Sequence, residues 1–230
     1  MAKVYLSPSM QEWNIGAGKY GAEEIYCNLI ADQTQQILIK HGVGVKRNRP
    51  DMTLAEIVTD SNIYDPDLHF AIHTNASGKS PNTTVQGCAV FMHAVGGERE
   101  VFSKILYARM SKLTPWPDLG VRLGRDWFGP GKDIYELART TAPAALIELD
   151  FHDHLGSVTW LLQNSQSIAQ EMAYSVLEYF KIPIKVEVDY SVQIKELSDQ
   201  VDELKAQVTT LNTRIASVKN AYVGMGKYLV

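Results

Sequence analysis

With 230 residues, 45% of them hydrophobic and 21% charged, the chain can bury one substantial core and carry a small appendage, but not two large domains. The formal net charge of -4 offers no basic stripe for nucleic acid, and no apolar run approaches the ~18 residues of a membrane span. Cys27 and Cys88 are the only cysteines, which argues against a disulfide framework and for two small buried apolar side chains.

The opening MAKVYLSPSM is too short and too polar for the apolar core of a signal peptide, so synthesis in the cytoplasm without one is expected. KVYLS (3–7) forms a first strand, and the spacing of Ile25, Leu29, Ile30, Ile37 and Leu38 predicts a helix over 23–42 that stops at Gly42. A second strand covers 43–48. A short helix over 52–62 has Thr53 as N-cap and Glu56 three residues later, the spacing of a capping box. LHFAIH (68–73) and PAALIELDF (143–151) are nearly all apolar, as central strands buried on both faces must be. Between them lie a strand over 85–93 and a helix over 98–113, and a helix over 165–180 closes the domain before Pro183. Short β-rich runs alternating with helices predict an α/β layered fold.

Past Pro183 the composition changes. Ile194, Val201, Val208 and Ile215 occupy one position of a heptad, and Leu197, Leu204, Leu211 and Val218 the other. The spacing holds through four repeats, and β-branched residues alternating with leucine favour a parallel two-stranded coiled coil, hence a homodimer. The competing arrangement, one amphipathic helix folded back on the domain, calls for a wider apolar face. The expected organisation is therefore a catalytic or binding domain over 1–183, a coiled-coil oligomerisation helix over 187–222 and a short tail over 223–230.

The glycine-rich stretches do not make nucleotide sites. HTNASGKS has His73 where a phosphate loop needs glycine, and GVGVKR precedes a strand instead of joining strand to helix. Polar residues at strand ends are more informative. Glu148 lies within an apolar strand, where an unpaired carboxylate costs several kcal/mol. His73 ends another strand, and Glu23 and Glu24 open the first long helix. Strand carboxyl ends form the ligand crevice of α/β sheets, and one imidazole with carboxylates suits zinc. A histidine closing a strand and glutamates complementing a helix dipole are the structural alternatives.

Taken together, GAEEIYCNLIAD, VKRNRPDMTLAEIVTDSN, DLHFAIHTNAS, GCAVFMH and APAALIELDFHDH resemble the zinc-dependent N-acetylmuramoyl-L-alanine amidases of phage endolysins and bacterial cell-wall hydrolases. The likeness runs from residue 3 to about 181. It implies a twisted, mostly parallel sheet of about six strands flanked by helices. It also implies one zinc ion per chain. By position in the motifs, the metal-binding glutamate falls on Glu24, four residues before Asn28, with Glu23 as the alternative. The metal-binding histidine falls on His73, Asn75 follows it as a substrate-binding residue, and the catalytic glutamate falls on Glu148.

The sequence departs from the family at the first strand. The family has a histidine two residues after a proline there, whereas SPSMQEW places Met10 at that position, and no histidine precedes His41. A thioether is too soft for such a zinc site, which leaves Gln11 through its amide oxygen or Glu12 through its carboxylate. The resemblance implies a peptidoglycan hydrolase that cleaves the amide between N-acetylmuramic acid and L-alanine with a metal-activated water, acting on the cell wall after release from the cytoplasm. The alternative is an amidase-like peptidoglycan-binding or assembly protein that has lost the metal.

Overall fold

The computed structural model describes residues 1–79, 84–185 and 191–226. Ser80 of the GKS stretch, the expected start of the coil at 187–190 and the end of the tail at 227–230 lie outside the described residues. The chain forms two compact units, Met1–Ile184 and Lys185–Val230.

The first unit is built on a six-stranded sheet: β1 (Lys3–Pro8), β2 (Gly44–Arg47), β3 (Leu68–Asn75), β4 (Cys88–Met92), β5 (Asp118–Leu123) and β6 (Ala144–Phe151), in the spatial order β2-β1-β3-β6-β4-β5. Pairing is parallel throughout except that β4 runs antiparallel to β6. The sheet is thus mostly parallel, with the helices α1 (Glu23–Lys40), α2 (Leu54–Tyr64), α3 (Gly97–Leu113), α4 (Gly124–Phe128), α5 (Tyr135–Arg139), α6 (Leu155–Gln163) and α7 (Ser165–Tyr179) around it.

Alternation along the strands decides what each face does. Leu68, Phe70 and Ile72 of β3, with Ala145, Ile147 and Leu149 of β6, enter a large core with Cys27 and Ile30 of α1, Phe102 and Leu106 of α3, and Met172 and Val176 of α7. Ala71, Ala144 and Leu146 face the other way, into a smaller cluster with Phe91 and Leu137. His69 and His73 share the face of Ala71 by the same period of two. Both cysteines are buried and neither forms a disulfide, in keeping with small apolar side chains.

The local signals explain the ends of α1 and α2. Helix α1 stops at Lys40, and Gly42 follows with φ 78, a conformation that favours glycine. Helix α2 has Thr53 as N-cap in a full capping box: Thr53 Oγ1 accepts from the Glu56 amide, and Glu56 Oε2 accepts from the Thr53 amide at 2.7 Å. Strand β5 and the short helices α4, α5 and α6 were not expected from the sequence. None has an apolar run long enough to show a period. Strand β3 extends through Asn75, so His73 lies within the strand and does not terminate it.

The second unit contains helix α8 (Ser191–Gly226). Its heptad residues Leu197, Val201, Leu204, Val208, Leu211, Ile215 and Val218 are 47% to 68% exposed. Among the described residues no helix is long and apolar enough to cross a membrane.

Candidate active site

Parallel pairing of β3 with β6 sets His73 directly beside Glu148. Partners in register point to the same side of a sheet, so register alone delivers an imidazole and a carboxylate to one place. Immediately beyond, the pairing slips between His73 and Asn75, an irregularity that ends the regular ladder at the site.

The carboxylate that touches His73 comes from the start of α1, and it is Glu23. His73 Nδ1 lies 2.9 Å from Glu23 Oε1, which also accepts from the Thr74 amide at 3.2 Å. Glu23 is 1% exposed. Glu24 occupies the next helical position, turned by about 100°; its side chain is not in this contact, and its carbonyl accepts from Asn28 Nδ2 at 2.9 Å. The structure therefore gathers His73 and Glu148 with Glu23, and leaves Glu24 as a first-turn acid of the kind that complements a helix dipole.

The segment SPSMQEWN folds over this pair. Asn14 Nδ2 donates to Glu23 Oε2 at 2.7 Å and approaches Gln11 Oε1 at 3.4 Å, while the Asn14 carbonyl accepts from the Glu23 amide at 2.9 Å. Gln11 is thus connected to Glu23 through Asn14, a residue with no signal in the sequence beyond its place in a polar loop. Met10 packs on the cluster of Tyr5, Met52 and Ile57, so the side chain standing where a histidine was expected serves as part of an apolar wall. Glu12 lines the adjoining cavity. Asn75 Oδ1 accepts from the Ala76 amide at 2.9 Å, which fixes the orientation of the amide group, and its buried Nδ2 has no hydrogen-bond partner.

The charges of these groups are strongly coupled. Burial opposes a proton on His73, but the hydrogen bond and charge of Glu23, with the charges of Glu148 and Glu136, outweigh it and raise the imidazole to about 9. Burial likewise opposes charge on Glu23, and His73, Ser9 and the Thr74 amide outweigh it, so the carboxyl is held below its ordinary range. Glu148 has no such donor. Burial dominates, Glu23 adds repulsion, His73 only partly compensates, and the carboxyl is pushed up to about 8. Its Oε2 is buried without a partner.

Among the described residues no group of three or more His, Cys, Asp or Glu side chains is gathered as a metal site. Two side chains of the types that zinc takes nonetheless meet, the His73 imidazole and the Glu23 carboxylate, in hydrogen-bond contact at 2.9 Å. A neutral amide oxygen from the SPSMQEWN segment, and not an imidazole, is what remains nearby to complete such a set.

A second buried histidine-carboxylate pair was not foreseen. His69 Nε2 lies 2.8 Å from Glu136 Oε1, His69 Nδ1 lies 2.8 Å from Ser61 Oγ, and Tyr5 stacks on the ring at 5.4 Å. All of its polar partners are satisfied, as a structural element under the site requires.

A cavity of about 600 Å³ opens beside the site and reaches both Gln11 and His73, with Met10, Trp13, Met52 and Leu54 among its walls.

Comparison with known proteins agrees with this architecture. The catalytic domain of CwlV, an N-acetylmuramoyl-L-alanine amidase from Bacillus (Paenibacillus) polymyxa var. colistinus, superposes with a TM-score of 0.69 at 19% identity, covering 80% of this chain and 100% of that one. AmiC2, an N-acetylmuramoyl-L-alanine amidase of Nostoc punctiforme, gives 0.64 at 18% identity over 78% of this chain and 97% of that one. The catalytic domain of the CD27L endolysin targeting Clostridia difficile gives 0.62 at 18% identity over 77% and 98%. At these identities the likeness shows the fold. No curated protein sequence matches the chain. The family model described as N-acetylmuramoyl-L-alanine amidase matches residues 4–178, and the chain belongs to that family.

Proposed function

We propose that the 1–183 domain hydrolyses the amide between N-acetylmuramic acid and L-alanine in peptidoglycan, with Glu23 and His73 holding a zinc ion and Glu148 handling the proton. The observation that carries this reading is the placement of a partnerless carboxylate oxygen of Glu148 on the strand position beside a hydrogen-bonded His73–Glu23 pair. When bound, the metal supplies Lewis acidity for the carbonyl and for water. Glu23 is the ligand in this reading, in place of Glu24, because only Glu23 reaches His73. The third protein donor is the amide oxygen of Gln11 or of Asn14.

The residues of the chain do the rest. Glu148, whose Oε2 is buried without a donor of its own, suits a group that takes a proton from the attacking water and returns it to the leaving amine. Asn75, its Oδ1 held by the Ala76 amide, is the substrate-binding residue of this reading by its place two residues after His73. Thr74 and Asn14 keep the Glu23 carboxylate in place. Release of L-alanyl peptides from purified cell walls, measured with and without chelator, tests the reading; release that persists unchanged after complete metal removal overturns the metal assignment.

The second reading, a peptidoglycan-binding protein without catalysis, is favoured by Met10 standing where the family has a histidine. Less than one tenth of an equivalent of zinc after reconstitution, with wall binding intact, supports it. In either reading α8 pairs two chains through its exposed heptad seam, presenting two domains to one polymer. Action on the wall after release from the cytoplasm completes the proposal.

A further inference from the structure

We propose that Trp13 and the cavity beside it form a subsite for the N-acetylated sugar on the glycan side of the scissile amide. This rests on the amidase reading above. The cavity adjoins His73 and Gln11, so whatever fills it lies directly next to the reacting bond, and for an amidase of this class that bond joins a sugar to a peptide.

The chemistry of the walls distinguishes the two sides. Met10, Met52, Leu54 and Ile57 supply apolar surface, Glu12 and Asp51 stand among them with Asp51 paired to Arg49 Nε at 3.1 Å, and among the described residues the basic side chain on the wall is His73. A peptide stem carries free carboxylates from its acidic residues and its terminus, and apolar side chains such as Met10, Met52, Leu54 and Ile57 give them no donor. An N-acetyl sugar is uncharged on its acetamide side, has an apolar ring face and a methyl group, and offers hydroxyl donors to carboxylates. It therefore matches both features at once.

Trp13 is 76% exposed, yet it stands on a braced segment. Its neighbour Asn14 is tied to Glu23 through both side chain and carbonyl. Farther along, the Gly16 amide donates to Gly21 O at 2.7 Å and the Ala17 amide to His152 O at 2.8 Å. A side chain at Gly16 would lie 2.5 Å from the Tyr26 hydroxyl, so glycine is required for the segment to close this tightly. An exposed indole on a preorganised segment costs little ordering free energy when a ring stacks on it.

The test is a titration of the full chain with the peptide-free disaccharide N-acetylglucosaminyl-N-acetylmuramic acid, its lactyl carboxyl capped as the N-methylamide so that it is uncharged there as in the substrate, followed through the indole N–H resonances. The Trp13 resonance is expected to move saturably with the disaccharide and to stay unmoved with the stem peptide alone. Trp13→Ala weakens disaccharide binding and raises KM for the disaccharide-peptide by about tenfold with little change in kcat, and Trp13→Phe recovers most of the loss, the scale of one aromatic contact. A Trp13 resonance indifferent to the disaccharide, or one moved by the stem peptide alone, overturns the subsite. So does a Trp13→Ala loss that falls on kcat. A wild-type chain that binds the disaccharide at Trp13 but hydrolyses nothing keeps the subsite and overturns the amidase reading.

Discussion

His73 and Glu148 stand side by side on the two central strands of the sheet, and their fates differ because only one of them has a partner. His73 has Glu23 at 2.9 Å, whereas Glu148 Oε2 has none. A buried acceptor without a donor costs about 1–3 kcal/mol, a strain that a purely structural residue at this position would not need. The arrangement suits a group whose partner is the substrate or the attacking water.

Replacement of Glu148 by Gln tests that asymmetry in two ways. Hydrolysis is expected to fall by at least about 100-fold, the range of a lost acid-base group. Stability moves the other way. The folded carboxyl is raised to about 8 from an ordinary 4.5, so the fold binds the proton more tightly than the unfolded chain. The metal-free protein therefore loses stability as pH rises from about 4.5 to about 8, and Glu148→Gln removes that loss. Thermal melts of chelated protein should show the variant on the order of 1–3 kcal/mol more stable at pH 8 and little different at pH 4.5. An unchanged difference between the two pH values would contradict the assignment.

Glu23 and Glu24 are adjacent in sequence and differ entirely in environment. Glu23→Gln should lower zinc affinity and activity by about 100-fold or more, because it replaces a ligand and the partner of His73. Glu24→Gln should leave both within about threefold, as surface substitutions do. Zinc content by competition with a chromogenic chelator separates the two variants. Equal losses in both, or a larger loss for Glu24, would restore Glu24 as the ligand.

That pair also shows where the sequence stopped being informative. The strands that carry His73 and Glu148 were legible because a long apolar run announces a buried strand, and a polar residue inside it is conspicuous. The capping box at Thr53 and Glu56 was legible because it is local. Which of two consecutive glutamates turns inward depends on the helix phase relative to the sheet, and a helix apolar on a broad face fixes that phase only to within a residue. Asn14 and Glu136 were not legible at all. Their roles come from partners 9 and 67 residues away, Glu23 and His69, and a contact of this kind leaves no periodic trace.

Metal binding should be strongly pH-dependent. With His73 raised to about 9, the imidazole carries a proton at neutral pH that zinc must displace. Apparent zinc affinity therefore rises with pH, by about tenfold per unit, until pH nears about 9 and then levels. Isothermal titrations at several pH values in buffers of different ionisation enthalpy should detect about one proton released per zinc at pH 7. Affinity that is flat between pH 7 and 8 would mean that the imidazole is not protonated at neutral pH in the metal-free protein.

The N-terminus of α2 borders the cavity beside the site, through Thr53 and Leu54, and its capping box fixes how that wall is presented. Thr53→Ala removes the acceptor for the Glu56 amide and the hydroxyl that donates to Glu56 Oε2. The expected cost is about 1 kcal/mol of unfolding free energy, read from urea melts. Thr53→Ser keeps both hydrogen bonds and should recover most of it. A loss equally large in the serine variant would point to the methyl group and its packing instead.

Leu204, Val208 and Leu211 of α8 are each more than half exposed in the single chain, while the polar residues between them make contacts within the helix, such as Lys205 Nζ to Asp202 Oδ1 at 3.0 Å. Seven apolar residues in one stripe are costly to leave in water, and pairing with a second copy buries them at about 25 cal/mol per Å² of apolar surface. Sedimentation equilibrium should therefore find a dimer at micromolar concentration. Leu204→Asp should shift it to monomer by placing two like charges across the seam. Because the seam holds the two domains together and not their chemistry, the monomer should cleave soluble muropeptides at an unchanged rate and lose activity on intact walls, where avidity acts. A wild-type monomer at these concentrations would remove the avidity argument.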